Sequence, residues 1–197
     1  MRIFIALLVL IFTLQSFTKA DDITEFQIEG ISIGDSALDF FSEKQIKNNI
    51  MKDYFNDDLY SEAEFSDRSY ESYDGISINF KTKDKNFIVH GISAHKFMNL
   101  SECFVQRKEL EKVMTQIWPN TRSEKYDFNH PADKSGKSHY YHILFSLFND
   151  EKIIGNAVIE CLDWSQQITD NKGWTDNLNL RITTEEFEEW LRDKAYN

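Results

Sequence analysis

Histidine, carboxylate and cysteine are the side chains from which this composition could build a reactive site, so their spacing is the first constraint. Five histidines raise the question of a transition metal. His139 and His142 stand three apart in a β-prone run, which sends them to opposite faces of a strand and keeps them off a shared ion. His90 and His95 flank Gly91 on another predicted strand, and only a bulge or a favourable register brings either near His142; His130 falls in a loop. Asp57, Asp58, Glu62, Glu64 and Asp67 gather the oxygens that a hard cation needs. The plainer expectation for them is a solvated acidic loop. Counting back from Gly173 in Asp170-Asn171-Lys172-Gly173 puts Ile168 where an EF-hand requires its first Asp, so that motif is absent. The seven glycines form no phosphate-cradling spacing, and no positioned nucleophile, base and acid are recognisable. No metal and no cofactor are expected.

The aromatic residues offer a second chemistry. Trp164 and Trp174 occupy one otherwise polar segment, and the run from His139 contains Tyr140, Tyr141 and His142. Large rings either anchor a core or wait for a ligand such as a carbohydrate or a peptide. Loops beside a rigid sheet are where binding residues concentrate. Trp164, Trp174, Tyr140 and His142 are therefore the candidate binding surface.

Cys103 and Cys161 are the two cysteines, and no C-x-x-C is present. An even pair in an exported chain is most simply one disulfide. Export is expected from the start of the chain. Arg2 precedes an uncharged, mostly apolar run from Ile3 to Leu14, and Thr18-Lys19-Ala20 presents small residues where a signal peptidase cuts, before Asp21-Asp22. That run of 12 residues is short for a bilayer, which needs about 20 helical residues. Residues 1–20 read as a cleavable signal peptide, leaving 177 of the 197 residues as the mature chain. The full chain carries 22 Lys and Arg against 33 Asp and Glu, a net of −11; losing Arg2 and Lys19 makes it −13. Such a surface repels phosphate backbones and anionic headgroups, so nucleic acid and membrane insertion after cleavage are not expected partners. A protein or a small ligand is. Location is periplasmic or secreted.

The elements that must position these residues follow from periodicity. Ile28 to Ile33 alternates, and Asp35 or Ser36 opens a helical pattern through Ile50 with a break at Ser42. Residues 56–74 read as a loop with a short strand. Ile76, Ile78 and Phe80 alternate with Ser77, Asn79 and Lys81 as a half-buried strand, pairing with 87–98 in a hairpin. Ser101 is the predicted cap of a helix carrying Cys103, Leu110, Val113, Met114 and Ile117 on one face and ending at Trp118-Pro119. Residues 121–137 read as irregular, with Pro131 and Gly136 as punctuation. Residues 139–148 and 153–162 form a second hairpin turning at Asn149-Asp150, residues 163–177 a loop, and 178–182 a last strand. Thr183 with Glu186 is a capping box before a final helix bearing Phe187, Trp190 and Leu191.

The order helix, hairpin, helix, hairpin, strand, helix predicts an α+β fold, helices packed on antiparallel sheet, with two similar halves as a further expectation. One domain over 21–197 is expected, with subdomains 21–98 and 99–197 as the alternative division. The segment Ile28-Glu29-Gly30-Ile31-Ser32-Ile33-Gly34-Asp35-Ser36 resembles the opening of small uncharacterised exported proteins of AT-rich marine bacteria. It is also loosely similar to the opening of modules in β-lactamase-inhibitor-like proteins and small outer-membrane assembly lipoproteins. That second resemblance implies a helical pair on an antiparallel sheet whose exposed face binds other proteins, although the lipoprotein cysteine is missing here. The expected function is a non-catalytic exported binding or interaction protein. A small secreted hydrolase using unidentified Asp, Glu or His residues is the alternative.

Overall fold

Strand residues of alternating chemistry decide the architecture, because the two faces of each strand seek different surroundings. The computed structural model describes residues 23–196 except 53, 67–69, 119–120, 131–132 and 150. The predicted signal segment and its cleavage site lie outside the described residues, as do Asp67, Pro119, Pro131 and Asp150.

A short hairpin, β1 (Gln27–Ile28) and β2 (Ile31–Ser32), turns on Glu29 and Gly30, both at positive φ. The helical pattern that follows splits in two. Ser36 caps a 3-10 turn (Ala37–Asp39), and Ser42 forms a reciprocal capping box with Gln45 at the start of α1 (Glu43–Asn48). The remaining elements are β3 (Tyr60–Phe65), β4 (Gly75–Lys81), β5 (Gly91–Phe97), α2 (Leu100–Ile117), β6 (Arg122–Asn129), β7 (His139–Asn149), β8 (Lys152–Asp163), α3 (Gln166–Lys172), β9 (Asn177–Thr184) and α4 (Glu185–Asp193).

The seven strands β3 to β9 form one antiparallel sheet in the order β3-β4-β5-β9-β8-β7-β6. This overturns the expected alternation of helices with separate hairpins and the two similar halves. Two causes are visible. β9 inserts between β5 and β8 and fuses both hairpins into one sheet. Arg122–Asn129, polar but for Tyr126 and Phe128 and taken for irregular chain, is an eight-residue edge strand paired with β7. Its charges suit an edge that must not pair further.

One sheet face carries the main core: Ile76, Ile78, Ile92, Ala94, Leu178, Leu180, Ile182, Ala157, Ile159, Ile143 and Phe145 are all buried there. Helix α2 packs across β8 and β9 on this face, tied by the Cys103–Cys161 disulfide with Cα atoms 5.8 Å apart. Its cap is Asn99, whose side chain accepts from the Glu102 N–H; Ser101, the predicted cap, is inside the helix. Gly155 is needed on this face, because a Cβ there would lie 2.1 Å from Ile23 and 2.6 Å from the Thr183 carbonyl. β4, expected to be half-buried, is buried on both faces, since Ser77 and Asn79 are 5% and 2% exposed.

Candidate ligand-binding face

The opposite sheet face is polar, and strand register fixes its layout. Tyr126, His142, Glu160, Asn179, His95 and Gly75 are successive cross-strand partners from β6 to β4. They form one transverse row. A second row holds Leu144, Val158, Arg181, Ser93 and Ser77, and a third Ser146, Asn156, Thr183, Gly91, Asn79 and Glu62. On the other side of the first row run Phe128, Tyr140, Leu162, Asn177 and Phe97.

Helix α4 covers the third row and closes that end. Thr184, one residue beyond the predicted Thr183, is its cap and accepts from the Phe187 N–H. Phe187 and Trp190 build a second, smaller core with Tyr60, and Gly91 leaves space for the Phe187 ring, which a Cβ would meet at 3.0 Å. Asp57 accepts from Trp190 Nε1 at 2.7 Å and from the Leu59 N–H, so this member of the acidic cluster anchors a helix. Glu185 accepts from Asn156 Nδ2 at 2.6 Å. Glu188 accepts from the Thr183 hydroxyl at 3.0 Å and lies 3.7 Å from Arg181. Burial opposes the charge of Arg181, but Glu188 and Glu160 outweigh it and hold the guanidinium protonated well above its usual range. Glu62, hydrogen-bonded by Asn79 at 3.0 Å, titrates above the usual carboxylate range because it is buried.

Toward the other end the cover stops. Phe97 and Phe128 are 52% and 41% exposed. The carboxylate of Glu160 lies 3.8 Å from His142 Nδ1, with side chains 12% and 16% exposed. Burial, aided by Arg181, depresses His142 to about 4, so it is neutral near pH 7; burial raises Glu160, which Arg181 only partly offsets. His142 Nδ1, Asn179 Oδ1 and Asn177 Oδ1 are buried without hydrogen-bond partners among the described residues. Orphan polar atoms are uncommon in folded proteins, and three of them fall in this row and the one beside it. His95 completes it by lying over Gly75, where a Cβ would meet its ring at 2.5 Å.

An aromatic rim borders the row. Ring centroids are 4.6 Å apart for Trp174 and Trp164, 4.4 Å for Trp164 and His130, 5.1 Å for His130 and Tyr140, and 5.7 Å for Tyr140 and His142, whose planes are parallel within 2°. Tyr126 and Phe128 meet the His142 ring edge-on at 5.3 and 5.4 Å. Trp164 and Trp174 are each half-buried, neither core nor fully presented. The rim is held from beneath. Buried Asp133 accepts from the Ser138 and Ser165 hydroxyls at 2.6 and 2.8 Å and from the Ser135 and Ser138 N–H groups. These bonds keep its carboxyl far below the usual range, the Ser138 hydroxyl contributing most. Ser165 begins α3 without capping it, because its hydroxyl serves Asp133 instead. Asp176 accepts from the Trp164 N–H at 2.8 Å and so closes the loop that carries both tryptophans. That loop, read as irregular, contains α3, which ends at Gly173 with φ of 72°.

The four residues singled out from sequence, Trp164, Trp174, Tyr140 and His142, thus stand along one rim. Sequence reasoning missed Tyr126 and Phe128, which sit in the unrecognised β6, and Glu160 and Asn179, whose convergence with His142 depends on register; His95 was weighed only as a metal ligand. The alternation Tyr126-Asp127-Phe128 was the available signal for the first pair. His95 shares the row with His142, yet β8 and β9 lie between them, roughly 14 Å of strand spacing. Among the described residues no three His, Cys, Asp or Glu side chains form a metal site. Gly30-Ile31-Ser32-Ile33-Gly34 does spell G-x-S-x-G, the pattern of an exposed nucleophile on a strand-to-helix turn. Here Ser32 is 5% exposed in the β1–β2 hairpin and its hydroxyl is buried, so it offers no such nucleophile. The chain matches no known protein family, no curated protein and no solved structure.

Proposed function

We propose that this chain is an exported, non-catalytic binding protein, acting in the periplasm or outside the cell, whose ligand lies on the uncovered end of the polar sheet face. The observation that carries the reading is the aromatic rim from Trp174 to His142 bordering a row of polar atoms left without partners. Stacked rings give contact area at little conformational cost, and orphan donors and acceptors supply direction once a ligand displaces water. The disulfide supports an oxidising compartment, and no described helix is long and apolar enough to cross a membrane.

One observation favours a hydrolase instead: Glu160, whose burial raises its titration, beside a neutral His142 is a pairing suited to acid–base work. Against it, two open hollows of about 220 and 320 Å³ lie at the β3 edge around Ile50, Ser61 and Thr82, away from Glu160. An enzyme is expected to enclose its reacting groups.

The test is a fluorescence titration of the two rim tryptophans with cellohexaose and with a hexapeptide containing three lysines. Binding of either probe to the wild type, lost in Tyr140→Ala and in Trp174→Ala with melting temperatures nearly unchanged, supports the reading. Binding unaffected by both substitutions, or hydrolysis of a probe that stops in Glu160→Gln, contradicts it.

A further inference from the structure

Resting on that reading, we infer that the uncovered face takes a lysine side chain of a basic polypeptide, held with its ammonium between the Glu160 carboxylate and the Tyr126, Phe128, Tyr140 and His142 rings. Three observations converge. The rings surround the inner half of the row: Tyr126 and Phe128 stand edge-on to His142, and Tyr140 lies parallel to it. Glu160 is the cross-strand neighbour of His142 and offers a carboxylate that accepts no hydrogen bond among the described residues. Asn179 Oδ1, next across the row, and Asn177 Oδ1 are both acceptors without donors. A carboxylate, two vacant acceptors and a wall of π faces ask for a donor that is also a cation, since a ring face attracts positive charge within about 6 Å of its centroid. An ammonium has three donors and no acceptor, which suits a set made only of acceptor oxygens.

The neighbouring charges agree. Arg181, one row away, is one guanidinium shared by two carboxylates, Glu188 at 3.7 Å and Glu160. His142 is neutral near pH 7 and adds no competing positive charge. The rim already carries one contact of the same kind, the Lys172 ammonium 4.4 Å from the Trp174 centroid. A polypeptide suits the site better than a free amine because the row from Tyr126 to His95 crosses five strands, roughly 19 Å, several times the size of one ammonium group. The chain's net charge of −11 would also draw in a basic segment over longer range.

The test uses three probes on the oxidised protein: the tri-lysine hexapeptide, the same peptide with every lysine acetylated, and cellohexaose. The unmodified peptide should bind, acetylation should weaken it at least tenfold, and Glu160→Gln should remove most of that discrimination. Glu160→Gln keeps the size of the side chain, and Phe128→Ala, at an exposed position, gives a second variant expected to weaken binding without unfolding. Equal binding of the acetylated peptide, or binding of the unmodified peptide that Glu160→Gln and Phe128→Ala leave unchanged, overturns the lysine proposal. Binding of cellohexaose alone, sensitive to Tyr140→Ala, overturns it too while leaving the binding-protein reading intact. Binding of none of the three ends both.

Discussion

His130 sits where the rim joins the Asp133 hub, and its surroundings act on its proton. Burial, with the Lys172 ammonium nearby, depresses it to about 4, and Asp133 only partly opposes this. In the unfolded chain a histidine titrates near 6.5. As pH falls from about 6.5 to about 4 the unfolded chain therefore takes up this proton first, and stability is lost across that window. The melting temperature of the wild type should fall there, and His130→Gln should flatten the fall. His142 contributes in the same direction, whereas the raised Glu62 and Glu160 contribute oppositely; all three are common to both proteins, so the difference between the two curves isolates His130. Parallel curves would show that His130 is not shifted. At this scale the sequence was partly legible. Two tryptophans in a polar segment announced the rim, but nothing local announced Glu160 or Asn179, which gain meaning only when register aligns them.

Between elements, the Cys103–Cys161 bond joins α2 to β8 over a sequence separation of 58. In the chain-entropy account, closing such a loop stabilises the native state by about 4 kcal/mol. That corresponds to roughly 10 °C in melting temperature for a chain of this size. Reduction, or Cys103→Ala with Cys161→Ala, should lower the midpoint by about that amount while leaving the far-ultraviolet circular dichroism unchanged at 25 °C. A shift of less than about 2 °C would place the stability of this contact in the packing of α2 instead. Elements whose apolar residues keep a clear period were readable: β4, β5, β7, β8, β9 and α2. β6 was not, because an exposed edge strand buries neither face and only Tyr126 and Phe128 alternate among its otherwise polar residues. α3 is too short at seven residues to leave a period, and the caps of α2 and α4 were misplaced because two capping residues stood close together in each case.

For the whole molecule, the error lay in counting hairpins rather than asking which strand would join them. β9 pairs with β5 on one side and β8 on the other, and this insertion turns two hairpins and the two edge strands β3 and β6 into one sheet. The same insertion creates the site, since Asn179 and Arg181 on β9 bridge His95 on one hairpin to Glu160 and His142 on the other. One face of that sheet is filled by α2 and the main core, the other is only half covered by α4. A nuclear magnetic resonance titration with the tri-lysine hexapeptide and, separately, with cellohexaose tests this asymmetry directly. At least one probe should shift the Trp164 and Trp174 indole N–H signals and the amides of β6, β7 and Asn179, while α2 stays unmoved. Shifts confined to α2, or no shift along the rim with either probe, would contradict the account.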